Sequence, residues 1–314
     1  MRILILTHSR NDPSFRVRWE QFLPALASAG IETEVRTIPR RGRGELFRAA
    51  REANVTVLHR RLLTAFDLGR LRRGARRLVY DFDDALCYRP SPPYRSTMRE
   101  ARFFRTVAAA DLVLAGNRNL ARLARLRARR VVVIPSTVDV EAYPPAPKSS
   151  IFTAVWIGQD ATLKHLAPVR EAVDAAHVRL RVIADAAPPG AEHVPWSTAT
   201  EAAALASAHV GLMPLPDDPF ARGKCGYKLL QYYAAGLPAI ASPVGVNRVL
   251  SAGGALLART REDWVSTMRL LKGDPELCRR LGAQGRSFVA RRYATGPLAQ
   301  RLIRLLKSPH VAAP

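Results

Sequence analysis

Short apolar runs alternate with helical patterns along the whole chain. Residues 2–6, 33–38, 55–58, 78–81, 112–115 and 131–134 read as strands, each a few apolar or β-branched residues bounded by polar or turn-forming ones. Between them, 19–29, 97–109 and 120–127 carry helical spacing. The rhythm then stops at Tyr143-Pro144-Pro145-Ala146-Pro147-Lys148-Ser149-Ser150, whose prolines and serines read as a linker. It restarts with strands at 153–157, 179–183, 210–213 and 239–241, and helices at 163–176 and 227–235. Strands alternating with helices imply parallel sheets covered on both faces. The expected fold is therefore α/β, two Rossmann-like doubly wound domains, 1–148 and 149–314, facing across a cleft. In such sheets ligands bind beyond the carboxyl ends of the strands.

Composition narrows the setting. The 314 residues are 48% hydrophobic and 24% charged, within the globular range, so a sizeable core is expected. Three cysteines, Cys87, Cys225 and Cys278, have no CxxC spacing, which points to a reducing compartment rather than a disulfide frame or zinc site. No apolar run approaches the length of a membrane span or a signal peptide's hydrophobic region. A cytoplasmic protein is expected. The net charge of +23 changes this picture. Clusters at Arg40-Arg41-Gly42-Arg43, Arg72-Arg73, Arg76-Arg77 and from Arg122 to Arg130 place much of the excess in the N-terminal half. A surface of that sign attracts polyanions, so peripheral docking on an anionic membrane is one reading and plain solvated helices the other.

The stretch richest in chemistry is 214–246. A strand ends near Met213, a loop runs through Arg222-Gly223-Lys224-Cys225-Gly226, and a helix starts near Tyr227. A glycine-bearing loop that opens a helix offers free N–H groups and the positive end of the dipole, which suits a phosphate. Lys224, Lys228 and Gln231 follow helical spacing, and on one stripe they would serve a diphosphate and a sugar hydroxyl. A solvated basic face is the alternative.

At this point a family resemblance enters. Gln231-Tyr232-Tyr233-Ala234-Ala235-Gly236-Leu237-Pro238 resembles the E-x-M-A-x-G-x-P signature of retaining, family-4-like glycosyltransferases of the GT-B fold. Ile134-Pro135-Ser136-Thr137-Val138-Asp139, Ala110 through Asn117 and Val155-Trp156-Ile157-Gly158 are similar to further segments of those enzymes. The resemblance implies a glycosyltransferase that takes a nucleotide-diphosphate sugar as donor, needs no metal or other cofactor, and keeps the donor in its C-terminal domain. It places Gly158, Lys164 and Gln231 at the donor, and the loop and helix chemistry adds Arg222, Lys224, Gly226 and Lys228 there, with Lys228 also catalytic. The chain departs where the family carries two glutamates, having Gln231 at one position and Gly223 at the other. It also has Gln159 where the family carries an arginine. The last helix is a candidate to pack back on the N-terminal domain.

Tyr80-Asp81-Phe82-Asp83-Asp84 sets three carboxylates at a strand end. They read as cleft-facing, with Asp83 and Asp84 catalytic and Asp81 on the acceptor side, rather than as a metal-binding D-x-D; a helix N-cap is the other reading. His8, Arg16, Arg18 and Asn117 complete the acceptor side, the two arginines in Ser14-x-Arg16-x-Arg18 being suited to an oxyanion. Pro195-Trp196 with Glu201 resembles a W-x-x-x-x-E pattern of the family. Trp196 reads as a packing residue, with a place beside the nucleotide base as the alternative. The acceptor itself is not legible. A lipid-linked, polysaccharide or small-molecule acceptor is expected, the basic N-terminal half favouring one displayed at a membrane, against two competing readings: a basic nucleic-acid-binding protein, which lacks RNP aromatics, zinc knuckles and helix-turn-helix spacing, and an inactive sugar-nucleotide-binding scaffold.

Overall fold

A computed structural model describes residues 1–39 and 42–308; Arg40 and Arg41 of the first basic cluster lie outside the described residues. The chain begins β1 (Arg2–Thr7), α1 (Pro13–Arg18), α2 (Leu23–Ser28), β2 (Glu32–Thr37), α3 (Gly44–Glu52), β3 (Val55–His59) and α4 (Ala65–Gly74). It continues with β4 (Leu78–Phe82), α5 (Thr97–Ala109), β5 (Leu112–Ala115), α6 (Arg118–Ala124) and β6 (Val131–Val133). Then come β7 (Thr153–Ile157), α7 (Asp160–Leu163), α8 (Ala167–Ala175), β8 (Arg179–Ala184), β9 (Glu192–Pro195), α9 (Glu201–Ala206) and β10 (Val210–Met213). The chain ends α10 (Tyr227–Ala234), β11 (Ala239–Ala241), α11 (Asn247–Leu250), β12 (Ala255–Leu257), α12 (Arg261–Gly273), α13 (Pro275–Arg292) and α14 (Thr295–Lys307).

Two units follow, each built on a parallel six-stranded sheet. The first comprises residues up to Thr137, the segment Asp218–Cys225 and the stretch from Thr295 onward. The second comprises Val138–Asp217 and Gly226–Ala294. The division thus falls at Thr137/Val138, ahead of the Pro-rich stretch near 148, because Val138, Val140 and Tyr143 bury their side chains in the core of the second unit.

The first sheet has the order β2-β1-β3-β4-β5-β6, and its four central strands bury both faces, as their continuous apolar runs require, while the edge strands β2 and β6 are only part-buried. One face packs under α3, α4 and α5. The other takes Phe15, Trp19, Phe22 and Leu26, together with Leu298, Leu302, Ile303 and Leu306 of α14. The helix expected over 19–29 is instead a 3₁₀ turn at Glu20–Phe22 running into the short α2, and a separate short helix, α1, precedes it. Pro13 at the first turn of α1 and Pro24 at that of α2 reset the helix each time.

The second sheet, read from its β9 edge, runs β9-β8-β7-β10-β11-β12. In order of appearance that is 3-2-1-4-5-6, the Rossmann dinucleotide-binding order. Its first and fourth strands mark the point where the connections change direction. The helix expected over 163–176 is the shorter α8, with Pro168 in its first turn, and α7 ends at Leu163 ahead of it. Among the described residues, no helix is long and apolar enough to cross a membrane.

Candidate active site

At the switch point of the second sheet, β7 ends in Ile157 and hands over to Gly158, whose N–H donates to the Ile183 carbonyl at 3.0 Å. Gly158 has no room for a side chain: a Cβ there would stand 2.5 and 2.6 Å from the Trp156 ring and 3.0 Å from Lys228 Cε. The space is filled by the Lys228 side chain, whose Nζ rests 5.1 Å from the Trp156 ring centroid. The buried indole face thus holds the ammonium by a cation–π contact.

Lys228 belongs to the first turn of α10, whose N-cap is Gly226 at φ +68° with no side-chain cap. Glycine is required at 226 for that left-handed backbone, and a Cβ would also meet Leu250 Cδ1 at 2.5 Å. A cation in the first turn opposes the helix dipole. An uncapped N-terminus, a lysine held beside it and a side-chain-free strand end are complementary to one kind of ligand, a phosphate or diphosphate. The structure brings Gly158, Gly226 and Lys228 together.

It separates the other two residues expected on that stripe. The left-handed Gly226 starts the helix register afresh, so Lys224 precedes α10 instead of lying on it, and belongs to the first unit. Gln231 is 3% exposed and faces inward. Its Nε2 donates to Tyr143 Oη at 3.2 Å and Glu201 Oε1 at 3.4 Å. Glu201 Oε1 also accepts from Tyr143 Oη at 2.8 Å, and Glu201 Oε2 from Trp196 Nε1 at 2.6 Å. A glutamate at 231 would set a second carboxylate against Glu201, which explains the amide in its place. Trp196 itself is exposed. Lys164 is exposed at the C-cap of α7.

In the first unit, Asp81 at the end of β4 is buried and its side chain makes four contacts with three residues. It accepts from Arg18 Nε at 3.4 Å and from Arg18 Nη2, from Trp19 Nε1 at 2.9 Å, and meets His59 Nδ1 at 2.8 Å. Burial alone would raise its pKa, but the charges of Arg18 and His59 outweigh that and hold it at about 2. Arg18 also donates to the Ile134 carbonyl. Arg18 and Asp81 were expected at the surface of an acceptor site; instead they form a buried ion pair, because the inward face of α1 directs residue 18 beneath the sheet edge with Ser14, Phe15 and Val17.

Asp83 and Asp84 lie just beyond, half-buried, and no helix follows them for either to cap; α5 is capped by Ser96. Asp83 Oδ2 accepts from Ser14 Oγ at 2.7 Å, and Ser14 Oγ lies 3.4 Å from His59 Nε2. A chain Asp81–His59–Ser14–Asp83 results. Arg60 stands among three carboxylates, with Asp84 at 2.7 Å, Asp83 at 3.4 Å and Asp12 at 3.7 Å. Burial tends to raise the Asp83 pKa, and Arg60, His59 and Arg18 more than reverse this, so it is lowered. An acid held that low is a weak general base and a good hydrogen-bond acceptor. Lys224 Nζ joins Asp84 Oδ1 at 3.2 Å. The strand-end carboxylates are each matched by cations, Asp81 by Arg18, Asp83 by Arg60, and Asp84 by Arg60 and Lys224. Among the described residues no cluster of His, Cys, Asp and Glu has metal-holding geometry.

The segment Asp218–Cys225 is fastened to this unit by Asn117. Its Oδ1 caps α6, accepting from Leu120 N at 2.9 Å, and its Nδ2 donates to the carbonyls of Gly223 at 2.9 Å and Lys224 at 3.1 Å. Asn117 is thereby a buried structural clasp. Gly223 packs so closely that a Cβ would lie 2.6 Å from Ala85 Cβ and 2.9 Å from its N, which rules out a glutamate at that position. Burial pushes the Cys225 thiol up. Arg222 is exposed, its carbonyl accepting from Asn119 Nδ2 at 3.3 Å. His8 is exposed past β1, 3.4 Å from Arg61 Nη1, and Arg16 is partly exposed on α1.

The whole chain is similar in structure to solved glycosyltransferases. HepE from Anabaena, in complex with UDP and glucose, matches 98% of this chain and 100% of its own, with a TM-score of 0.75 at 16% identity. Sucrose-phosphate synthase from Thermosynechococcus elongatus matches 97% of this chain and 98% of its own, TM-score 0.78, 16% identity. The trehalose-6-phosphate synthase of E. coli, bound with UDP-2-fluoro glucose, matches 98% and 99%, TM-score 0.68, 13% identity. The fold is GT-B. At these identities the likeness establishes architecture alone. No family model matches the sequence, and no curated protein does.

Sequence reasoning missed four polar residues of this GT-B chain. His59 ends an apolar strand run, and Arg60 adopts a left-handed backbone at φ +57°, unusual for a side chain of its size. Ser14 was visible only as the first letter of an arginine pattern. Tyr143 was hidden in the Pro-rich stretch. All four are tied to partners far away in sequence, and no local spacing reveals such pairs.

Proposed function

We propose that the protein is a glycosyltransferase that moves a sugar from a nucleotide diphosphate to an acceptor with retention of configuration and without a metal. The observation that carries this reading is the corner at the switch point of the 3-2-1-4-5-6 sheet made by Gly158, the uncapped start of α10 and Lys228 held over Trp156. Lys228 and the α10 amides would stabilise the charge that develops on the departing diphosphate. The leaving phosphate itself would then help take the acceptor proton, a role that the low Asp83 and Asp81 carboxylates fill poorly. HepE has been seen with UDP-glucose and the E. coli synthase with a fluorinated UDP-glucose, so UDP-sugars are the first donors to test.

The acceptor is proposed to be displayed on an anionic membrane surface. Arg118 and Arg122 of α6, with Arg125, Arg127, Arg129 and Arg130 beyond it, are all exposed, and Leu126 stands 65% exposed among them. Basic residues flanking a bare leucine suit a headgroup surface. Other clusters contribute less: Arg77 is buried and donates to the Leu305, Leu306 and Ser308 carbonyls, capping α14, while Arg72 pairs with Asp111 at 3.1 Å.

The decisive experiment incubates the protein with UDP-, GDP-, ADP- and TDP-sugars and a lipid extract, measures released nucleotide, and reads the anomer of the product by NMR. Retained configuration is the expected result. An inverted product would overturn the retaining mechanism, and binding without transfer to any acceptor would leave a donor-binding scaffold.

A further inference from the structure

Around the carboxyl edge of the first sheet, buried and half-buried cations are matched by acids. Arg18 has Asp81, Arg43 has Asp67, Lys224 has Asp84, and Arg60 stands among Asp12, Asp83 and Asp84. Arg61, also half-buried, is different. Among the described residues it forms no ion pair, and its Nε is shut off from solvent without a hydrogen-bond acceptor. Its side-chain partner is another base, with Nη1 lying 3.4 Å from His8 Nδ1. A guanidinium only donates, so this contact makes Nδ1 the acceptor and leaves the ring proton on Nε2, a second donor. Burial first, and the charge of Arg43 second, lower the Arg61 pKa below its ordinary value. Taking a cation out of water without an acid beside it is costly.

The place of this charge is set by the topology. His8 directly follows β1, Arg61 follows β3 and its neighbour Arg60, and Arg43 is the N-cap of α3, which has no side-chain cap. The sheet runs β2-β1-β3, so its connections change direction between β1 and β3, the switch point at which sheets of this order take ligands. The start of α3 adds the positive end of a helix dipole. Arg60, at φ +57°, turns to the carboxylates at the end of β4, while Arg61 meets His8. Of two consecutive arginines, one is neutralised within the fold and the other is not.

We propose that Arg61, with His8 and Arg43, binds a phosphate group carried by the acceptor. The proposal rests on the glycosyl-transfer reading above and adds the chemical class of the acceptor: a phosphate ester. A guanidinium and a neutral imidazole N–H are donors suited to such an anion, and the unmatched charge supplies the attraction.

NMR of the His8 ring, assigned by loss of its signals in His8→Gln, tests this at constant pH. Inorganic phosphate and dihexanoyl phosphatidic acid, a soluble lipid phosphate, are both expected to shift the His8 signals. The shift is expected in Lys228→Ala as in wild type, because the donor corner plays no part in it. Arg61→Gln is expected to bind both probes at least about tenfold more weakly. It should also melt at the same or a higher temperature than wild type, since it removes a cation that has no acid. In the Lys228→Ala background, phosphate is expected to raise the Tm, and adding Arg61→Gln is expected to abolish that rise. Tighter binding of the lipid phosphate supports a lipid-borne acceptor, and equal binding supports a soluble one. His8 signals that stay in place, or that move equally in Arg61→Gln, overturn the phosphate site and leave donor binding untouched. A His8 shift in a protein that binds no UDP-, GDP-, ADP- or TDP-sugar overturns the transferase reading, and the acceptor assignment with it, but not the anion site.

Discussion

Lys228 Nζ lies over the Trp156 ring, 5.1 Å from its centroid, along a path left open by the missing side chain of Gly158. Its position therefore depends on two neighbours as well as on its helix. If Lys228 stabilises the leaving diphosphate, Lys228→Ala will lower kcat roughly 100-fold, by analogy with loss of one donor from an oxyanion site. Circular dichroism and Tm should stay near wild type. An unchanged rate in steady-state nucleotide release would remove this lysine from the mechanism.

Gly158→Ala puts a methyl group into the Trp156 ring and against Lys228. Overpacking of this kind costs about 1–3 kcal/mol. The expected outcome is a lower urea midpoint together with weaker pyrophosphate binding, since the lysine is displaced along with the indole. Intact affinity in a destabilised variant would show that the lysine finds its place without the ring.

The Arg18–Asp81 pair predicts an acid limit. Asp81 has its folded-state pKa lowered to about 2, against an ordinary carboxylate near 4 in the unfolded chain. The stabilisation is thus fully present above about pH 4 and lost as the pH falls through the folded value of about 2; it amounts to roughly 2 kcal/mol. Denaturant melts between pH 7 and pH 2 should show wild type losing this increment and Asp81→Asn lacking it. Arg18→Met leaves the acid buried without its guanidinium and should cost about 3 kcal/mol or more at pH 7. The double variant should recover part of that loss.

Anionic vesicles should sediment with the protein at low salt, and neutral vesicles should not. Replacing Arg122, Arg125 and Arg127 by serine should weaken that binding about 100-fold, at about 1 kcal/mol for each charge near the surface. Equal partitioning on neutral and anionic vesicles would count against membrane docking.

The architecture was legible because buried parallel strands are written as short apolar runs, and every expected strand from 2–6 to 239–241 is present in some form. Strand β9 was missed because Glu-His-Val-Pro at a sheet edge alternates between half-buried and exposed, carrying little apolar signal. Strand β12 is only three residues long. In the site, the glycines and Lys228 were legible because loop chemistry is local. The stripe of Lys224, Lys228 and Gln231 was misread because a left-handed Gly226 resets the helix, and spacing does not record φ. The acidic run at 81–84 was visible, yet its cations arrive from Arg18, Arg60 and Lys224, far away in sequence. Charge at a site is a sum over the fold, and one segment shows only part of it.

Arg77 closes the carboxyl end of α14, a helix whose Leu298, Leu302, Ile303 and Leu306 fill the same core as Ile3, Ile5 and Trp19. The first unit to be synthesised is consequently the last to be completed. Until α14 leaves the ribosome, the sheet made by β1, β3, β4 and β5 has one apolar face covered only in part, by Phe15, Trp19, Phe22 and Leu26, while the second unit already has all its strands. Cutting the chain at the Pro-rich stretch would not yield two independent halves: the N-terminal piece would lack both α14 and the segment clasped by Asn117.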